Sequence, residues 1–440
     1  MVYRFLKFIL SIGIRFYYKE IKINNKSYLS QKDPLIIIAN HPNTLMDAWV
    51  IGMIYKQPIY YMAKATLFDS KFKLKILRSL NMIPINRQGE GITSGVDNTD
   101  SLQECYDILS QGKTLLIFPE GTSYKELVLR KLKTGTARVA MHTEQINNWN
   151  LNLKIVAVGL NYSEPERFRS RILINIDKPQ TVLSYKSLYE QNKSEAAKQL
   201  TQKLRTRLEN VLLTTESKEE EELVISIHNI LNSKYRKDKI MKGVEGKHLN
   251  IKSIKDRLDD IKVSTPWVIS EVQLKVRAIN WKFSKLRLRA DFLDRNFKFG
   301  LIFRQLVTSV IVLILLLPLF FFGVIHNVIQ FKFTDWIIPK LSKDIEYYAP
   351  FAVFIGLFTY PFAYFAFMFI VYAVFDLHGI GLILYLLLMP LSGLFAYWFK
   401  KYVIHISNKW HYLLLMLDRR DALNDLQIEK EKLRKLLFEE

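Results

Sequence analysis

A single cysteine, Cys105, stands in this chain of 440 residues. One thiol excludes an intramolecular disulfide and fits a reduced compartment. Cys105 shares a helical face with Leu102 and Leu109, which reads as a buried structural thiol rather than a nucleophile. Zinc-finger spacing is missing, and so is the aromatic–basic signature of RNA-binding modules. No internal repeat is visible. The N-terminus has no signal-peptide pattern: Arg4, Lys7 and Arg15 break up its apolar residues, and no small-residue cleavage site follows. Its run from Phe5 to Tyr18 is too short to span a bilayer. It reads as an interfacial helix or, alternatively, as an ordinary core-packing helix. Acidic residues are scarce, 42 against 63 basic ones, leaving a net charge of +21. That balance favours an anionic partner. The cations concentrate from Lys275 to Arg304, just before an apolar region, which favours lipid headgroups over nucleic acid.

What is present begins with alternating strand and helix signals. Strand-like runs fall at Leu35–Ala39, Ile59–Ala63, Met82–Ile85, Thr114–Phe118, Lys154–Leu160 and Arg171–Ile176. Several are continuously apolar, as in a sheet covered on both faces. The clearest helix starts near Asp100, with Gln103 placed for a capping box, and ends near Gly112. Residues 1–212 therefore read as one α/β domain. Residues 213–300 form a charged helical segment that opens on the acidic run Glu216 to Glu222, with a loop near Gly243 to Gly246. Residues 301–400 read as a membrane domain of about three apolar segments, Leu306–Ile329, Tyr348–Phe375 and Ile380–Phe399. Each approaches or exceeds the roughly 20 residues needed to cross a hydrocarbon core. Pro318 leaves open a re-entrant hairpin in place of a first full crossing. Three crossings would put the two ends on opposite sides. Yet both flanks, Lys275–Arg304 and Lys400–Lys409, are basic, which suggests one cytoplasmic side. Residues 401–440 read as a charged amphipathic tail.

Two clusters carry chemistry. The first, Asn40-His41-Pro42-Asn43-Thr44-Leu45-Met46-Asp47, follows the apolar run Leu35–Ala39. Pro42 disfavours helical geometry at His41 and suits a first helical turn, placing Asp47 about two turns into the helix. Residues six apart on a regular helix do not share a face. The two side chains meet only if His41 lies off the helix axis. Asp47 would then fix one imidazole nitrogen and leave the other free to take a proton from an alcohol. The bland alternative is a capping turn. The second cluster, Phe118-Pro119-Glu120-Gly121-Thr122-Ser123, also follows an apolar run.

Together these clusters resemble the glycerolipid acyltransferases, the family of glycerol-3-phosphate and 1-acylglycerol-3-phosphate O-acyltransferases. The family's first motif separates histidine and aspartate by four residues; here five intervene, as in some glycerol-3-phosphate acyltransferase branches. Its second motif resembles Ile83-Pro84-Ile85-Asn86-Arg87, and its third is nearly unaltered in Phe118 to Ser123. The fourth is only weakly similar to Ile155 to Asn161 and lacks the usual proline. Lys64, between the first two motifs, and Lys133, in Lys133-Thr134-Gly135 after the third, add to the likeness. The resemblance covers residues 30 to about 180.

It implies an acyltransferase-like mixed sheet flanked by helices, followed by a helical segment and C-terminal transmembrane helices. It implies a membrane-bound O-acyltransferase that moves a fatty acyl group from acyl-CoA or acyl carrier protein to a hydroxyl of glycerol 3-phosphate or 1-acylglycerol 3-phosphate. His41 and Asp47 would be catalytic. Arg87, Glu120, Gly121, Thr122, Lys64 and Lys133 would bind substrate. Arg87 offers a planar fork of donors for phosphate. Glu120, while ionised, is restricted to hydroxyls or to holding a cation. Gly121 permits close backbone approach to anionic oxygen. The three arginines Arg167, Arg169 and Arg171 read either as phosphate ligands or as a solvated loop. No metal or redox cofactor is expected, nor a nucleic-acid partner. The partners are membrane lipid, the glycerol-phosphate substrate and the acyl donor. The expected location is a bacterial inner membrane with the catalytic domain on the cytoplasmic side. Competing readings are the same fold acting on another lipid acceptor, through lysophospholipid remodelling or an aminolipid, and a non-enzymatic membrane scaffold.

Overall fold

The computed structural model describes residues 2–29, 34–86, 98–231, 243–293 and 299–439. The strands are β1 Glu20–Asn24, β2 Leu35–Ala39, β3 Ile59–Lys64, β4 Met82–Ile85, β5 Thr114–Ile117, β6 Lys154–Tyr162, β7 Arg171–Ile176 and β8 Gln180–Thr181. In the N-terminal domain the helices are α1 Val2–Tyr17, α2 Leu45–Ile54, α3 Lys71–Ser79, α4 Asn98–Ser110, α5 Gly135–Ile146, α6 Lys186–Gln191 and α7 Lys193–Val211. Then come α8 Lys218–Leu231, α9 Gly243–Ser264, α10 Pro266–Lys285, α11 Ala290–Leu293, α12 Phe299–Leu341, α13 Tyr348–Phe375, α14 Ile380–Asp418 and α15 Arg420–Phe438. The chain divides into two compact units. One comprises Met1–Lys218, Gly243–His248 and Ser342–Phe354; the other comprises Glu219–Lys242, Leu249–Leu341 and Ile355–Glu440.

The first unit holds one mixed sheet in the order β1-β7-β6-β2-β5-β3-β4, with β8 paired antiparallel to β6. The strands from β6 to β4 run parallel, while β7 pairs antiparallel with β6 and parallel with β1. All residues of β2 and β5 are buried, so their unbroken apolar runs belong to a sheet covered on both faces. Ile36, Ile38, Leu115, Ile117, Ile155 and Ala157 join Cys105, Met141, Leu200 and Leu204 in one core cluster. Cys105 is fully buried, and burial, with the charge of Glu104 adding to it, pushes its thiol up to about 12. From β2 the chain first builds strands to one side (β3, β4, β5) and then to the other (β6). Beyond the carboxyl ends of β2, β5 and β6 lies the switch point where parallel α/β sheets place ligands.

Local details depart from the sequence reading. Gln103 side-chain amide donates to Asp107 at 2.9 Å, an i to i+4 pair inside the helix. The acidic run opens α8, whereas Gly243 to Gly246, read as a loop, begins α9. Gly243 there has φ 88°, and the neighbouring Val244 N–H donates to Glu20 Oε1 at 3.3 Å.

The helices α12, α13 and α14 are long and apolar enough to cross a membrane; α12, α14 and α13 from Ile355 onward belong to the second unit. Pro318 does not make a hairpin: α12 continues through it as a single helix. A proline removes one backbone donor, and packing along the rest of a 43-residue helix carries the chain past it. α12 and α14 pack antiparallel. Leu306 clusters with Ile406 and Leu413, Ser309 lies by Tyr402, and His326 meets Tyr385. Backbones touch where a Cβ on Gly323 would sit 2.3 Å from the Ser392 carbonyl oxygen, the close approach that small residues allow between apolar helices. The pairing brings the basic flanks before α12 and after Phe399 to the same end, and it runs on through the charged helices: His411 Nε2 bonds the Leu286 carbonyl at 2.8 Å, and Lys282 pairs with Glu429 at 2.5 Å.

Candidate active site

β2 ends at Ala39, and the side chain of Asn40 carries its ladder on. Leu160 N–H donates to Asn40 Oδ1 at 2.8 Å, and Asn40 Nδ2 donates to the Leu160 carbonyl at 3.0 Å. The chain then turns through His41, Pro42, Asn43 and Thr44 before α2 opens at Leu45. The helix starts later than Pro42 suggests, so Asp47 lies in its first turn and not two turns in. That shift lets Asp47 reach back to the histidine. Thr44 has φ 43° and ψ −124°, a conformation that β-branched residues rarely adopt and that functional turns hold under strain. Its hydroxyl donates to the Glu346 carbonyl at 3.0 Å.

His41 Nδ1 lies 3.0 Å from Asp47 Oδ2. The same oxygen accepts the Asn43 N–H at 2.7 Å, and Asp47 Oδ1 accepts the Tyr162 hydroxyl at 2.7 Å. Asp47 is fully buried. Three hydrogen-bond partners on this buried carboxylate fix its position. Tyr162, at the end of β6, has its hydroxyl pushed well above the ordinary phenol range by burial and then by the charge of Asp47. It stays a donor. Asn43 Nδ2 donates to the Tyr18 hydroxyl at 2.9 Å and to the Pro165 carbonyl at 3.0 Å, tying the end of α1 to the same turn.

The β5 turn closes on His41 from the other side. The Phe118 ring stacks on the imidazole, centroids 3.8 Å apart and planes within 10°. Glu120 Oε1 accepts the His41 N–H at 3.3 Å, and its Oε2 accepts the Arg130 N–H at 3.0 Å. Burial raises the Glu120 carboxyl above its usual range, with these two hydrogen bonds opposing the rise. Gly121 has φ 82°, and a Cβ there would meet Lys133 Cε and Nζ at 2.8 Å. Lys133 thus arches over the turn, its own N–H bound to the Pro119 carbonyl at 2.8 Å. Thr122 follows in that turn, half-buried.

Of the residues singled out in the sequence, His41, Asp47, Glu120, Gly121 and Lys133 converge. Lys64 ends β3, in register with Ile85. Arg87 lies outside the described residues. The three arginines are tied to neighbours: Arg167 to Glu164 at 2.9 Å, Arg169 to the Phe16 carbonyl at 3.3 Å, and Arg171 to Glu20 at 3.2 Å. Asn40, Asn43, Tyr18 and Tyr162 were not marked as site residues in the sequence. Tyr162 had one available signal: it lies two residues beyond the strand-like run Lys154–Leu160, at the sheet end where ligands gather.

A buried carboxylate beside an imidazole at the carboxyl ends of parallel strands is a geometry in which the imidazole can act as a general base. Residues 20–161 match the family described as Acyltransferase. Over 122 residues it is 30% identical to glycerol-3-phosphate O-acyltransferase 1 of Saccharomyces cerevisiae, a match covering 27% of this chain and 16% of the relative. Over 121 residues it is 29% identical to the 1-acyl-sn-glycerol-3-phosphate acyltransferase of Bacillus subtilis, covering 27% of this chain and 56% of that protein. The chain thus spans a small part of its yeast relative and about half of its Bacillus one. The crystal structure of the 1-acyl-sn-glycerophosphate acyltransferase PlsC from Thermotoga maritima aligns with a TM-score of 0.33 and 18% identity, covering 47% of this chain and 79% of that chain.

Proposed function

We propose that this chain is a membrane-bound O-acyltransferase of phospholipid synthesis. It moves a fatty acyl group from acyl-CoA or acyl carrier protein to a hydroxyl of glycerol 3-phosphate or 1-acylglycerol 3-phosphate. The observation that carries this reading is the His41–Asp47 pair at 3.0 Å, beside a turn that bears Glu120 and Lys133. Asp47 holds a proton on Nδ1, so Nε2 is the nitrogen left to act. As the acceptor oxygen attacks the thioester carbonyl, its proton passes to Nε2. Asp47 stabilises the imidazolium, the tetrahedral oxyanion collapses, and the departing thiolate takes the proton back. The alcohol attacks directly, so no enzyme nucleophile takes part, in keeping with a buried, high-pKa Cys105. Lys133 over the Gly121 turn supplies a cation for a phosphate-bearing acceptor, and Arg87 and Lys64 are assigned the same charge role. Glu120 holds the His41 backbone with Oε1 and presents its carboxylate to glycerol hydroxyls. The reaction needs no metal or redox cofactor. The membrane helices keep the enzyme where its acyl product partitions, with the catalytic domain on the cytoplasmic face of a bacterial inner membrane.

The test is a radiolabelled acyl-transfer assay on detergent-purified full-length protein. Glycerol 3-phosphate and lysophosphatidate are offered in parallel, with acyl-CoA and acyl carrier protein as donors. Transfer to either acceptor that His41→Ala abolishes supports the assignment. A folded wild-type protein that transfers to neither acceptor from either donor overturns it.

A further inference from the structure

We infer that α3, with the turn before it, is an interfacial element that lies in an anionic lipid surface. The helix Lys71–Ser79 buries none of its residues. Phe72 is 75% exposed, and Leu67, Leu74 and Ile76 are exposed with it. Such a cluster of large apolar side chains is unusual on a soluble face. At helical spacing Lys71, Lys75 and Arg78 form one stripe, with Phe72 and Ile76 on one side and Leu74 on the other. Leu77 and Leu80 are the side chains turned furthest inward, both only half-buried. Lys73 pairs with Asp69 at 2.8 Å, and Arg78 pairs with Glu104. Lys71 and Lys75 form no ion pair among the described residues.

Cations flanked by protruding apolar groups, on a helix with no acid of its own, match the headgroup–acyl boundary of a bilayer containing anionic lipid. The lysine stems lie along the apolar layer while their ammonium groups stay with the phosphates. An acidic protein would satisfy the charges but would need pockets for four separate apolar side chains. A bilayer accepts them without any. The lipid is also a permanent neighbour, because the same chain carries three helices long enough to cross it, so contact is effectively intramolecular. α3 follows β3, whose last residue is Lys64, after one 3₁₀ turn at Ala65–Phe68. The contact would therefore bring the carboxyl-end rim of the sheet down to the lipid, beside the source of an acylated acceptor.

Cys105 is fully buried, so an introduced surface cysteine can be labelled selectively. The experiment uses full-length Leu74→Cys carrying an environment-sensitive fluorophore, in nanodiscs of phosphatidylcholine with or without phosphatidylglycerol. Some of the lipid bears a doxyl quencher on its acyl chain. Lys203→Cys on the exposed face of α7 is the reference. With phosphatidylglycerol present, quenching at position 74 should be at least double that at position 203. It should fall towards the reference in Phe72→Ser and in Lys71→Glu/Lys75→Glu, all at exposed positions, with an unmoved melting temperature as the check on folding. Equal quenching at 74 and 203 overturns the proposal. So does a position-74 signal that moves only when an acidic acyl carrier protein is added, or quenching that ignores both phosphatidylglycerol and the charge reversal. No turnover is needed for the readout.

Discussion

At the scale of single residues, the site is a chain of donors converging on Asp47. His41→Ala should lower kcat by about 10²–10⁴-fold, the usual worth of a general base, with little change in melting temperature, because the ring is at the site surface and not in the core. Tyr162→Phe removes one hydrogen bond to a buried carboxylate and should cost about tenfold or more in kcat, since such charged bonds are worth about 1.5–3 kcal/mol. Restoring a hydroxyl elsewhere should not rescue it. Glu120 gives a pH signature. Its folded carboxyl titrates above the unfolded value of 4.5, so the folded state binds the extra proton between those two values. The group's contribution to stability is full below the unfolded value and is lost as pH rises through the raised one. Thermal melts of wild type against Glu120→Gln across that window should show a slope that the variant lacks; parallel curves would contradict it. His41 and Asp47 were singled out in the sequence because they fall in one short cluster after an apolar run and resemble a family motif, with Pro42 keeping His41 off the helix axis. Tyr162 was not, because its link to Asp47 runs across 115 residues and exists only once β6 has paired with β2.

At the scale of elements, the strained turns are where sequence and function trade against stability. Gly121 combines positive φ with Lys133 packed against it. Gly121→Ala should destabilise by about 1–2 kcal/mol and displace Lys133, raising KM for a phosphate-bearing acceptor more than it lowers kcat. An unchanged KM in steady-state assays would separate Lys133 from the acceptor. The strands β2, β4 and β7 had the bounds that their sequence runs suggested; in β2 the reason is plain, because five apolar residues in a row suit only a sheet covered on both faces. β1 was missed: Glu20, Ile21, Lys22, Ile23 and Asn24 alternate, and only pairing with β7 makes that short segment a strand. The helix start at Leu45 was missed for a related reason. Asn43 and Thr44 are held out of the helix by bonds to Tyr18, Pro165 and Glu346, none of them near in sequence.

At the scale of the whole chain, the charge pattern and the helix packing agree. The sequence left a conflict between three apolar segments and two basic flanks. Antiparallel α12 and α14 bring those flanks to one end. Single cysteines at Arg304 and Lys401 should therefore react with a membrane-impermeant maleimide from the same face of sealed vesicles, and labelling from opposite faces would break the α12–α14 pairing. Hydropathy alone could not supply this, because it counts apolar lengths and is silent about which helices lie side by side.

Asn40 has a consequence for how such a site can vary. By pairing with both backbone groups of Leu160, it acts as a spare rung that measures the histidine and the tyrosine two residues beyond against a single ruler, the register of β2 on β6. Loops around the rim are thus free to lengthen or be exchanged while the spacing of His41, Asp47 and Tyr162 stays calibrated by the sheet beneath them.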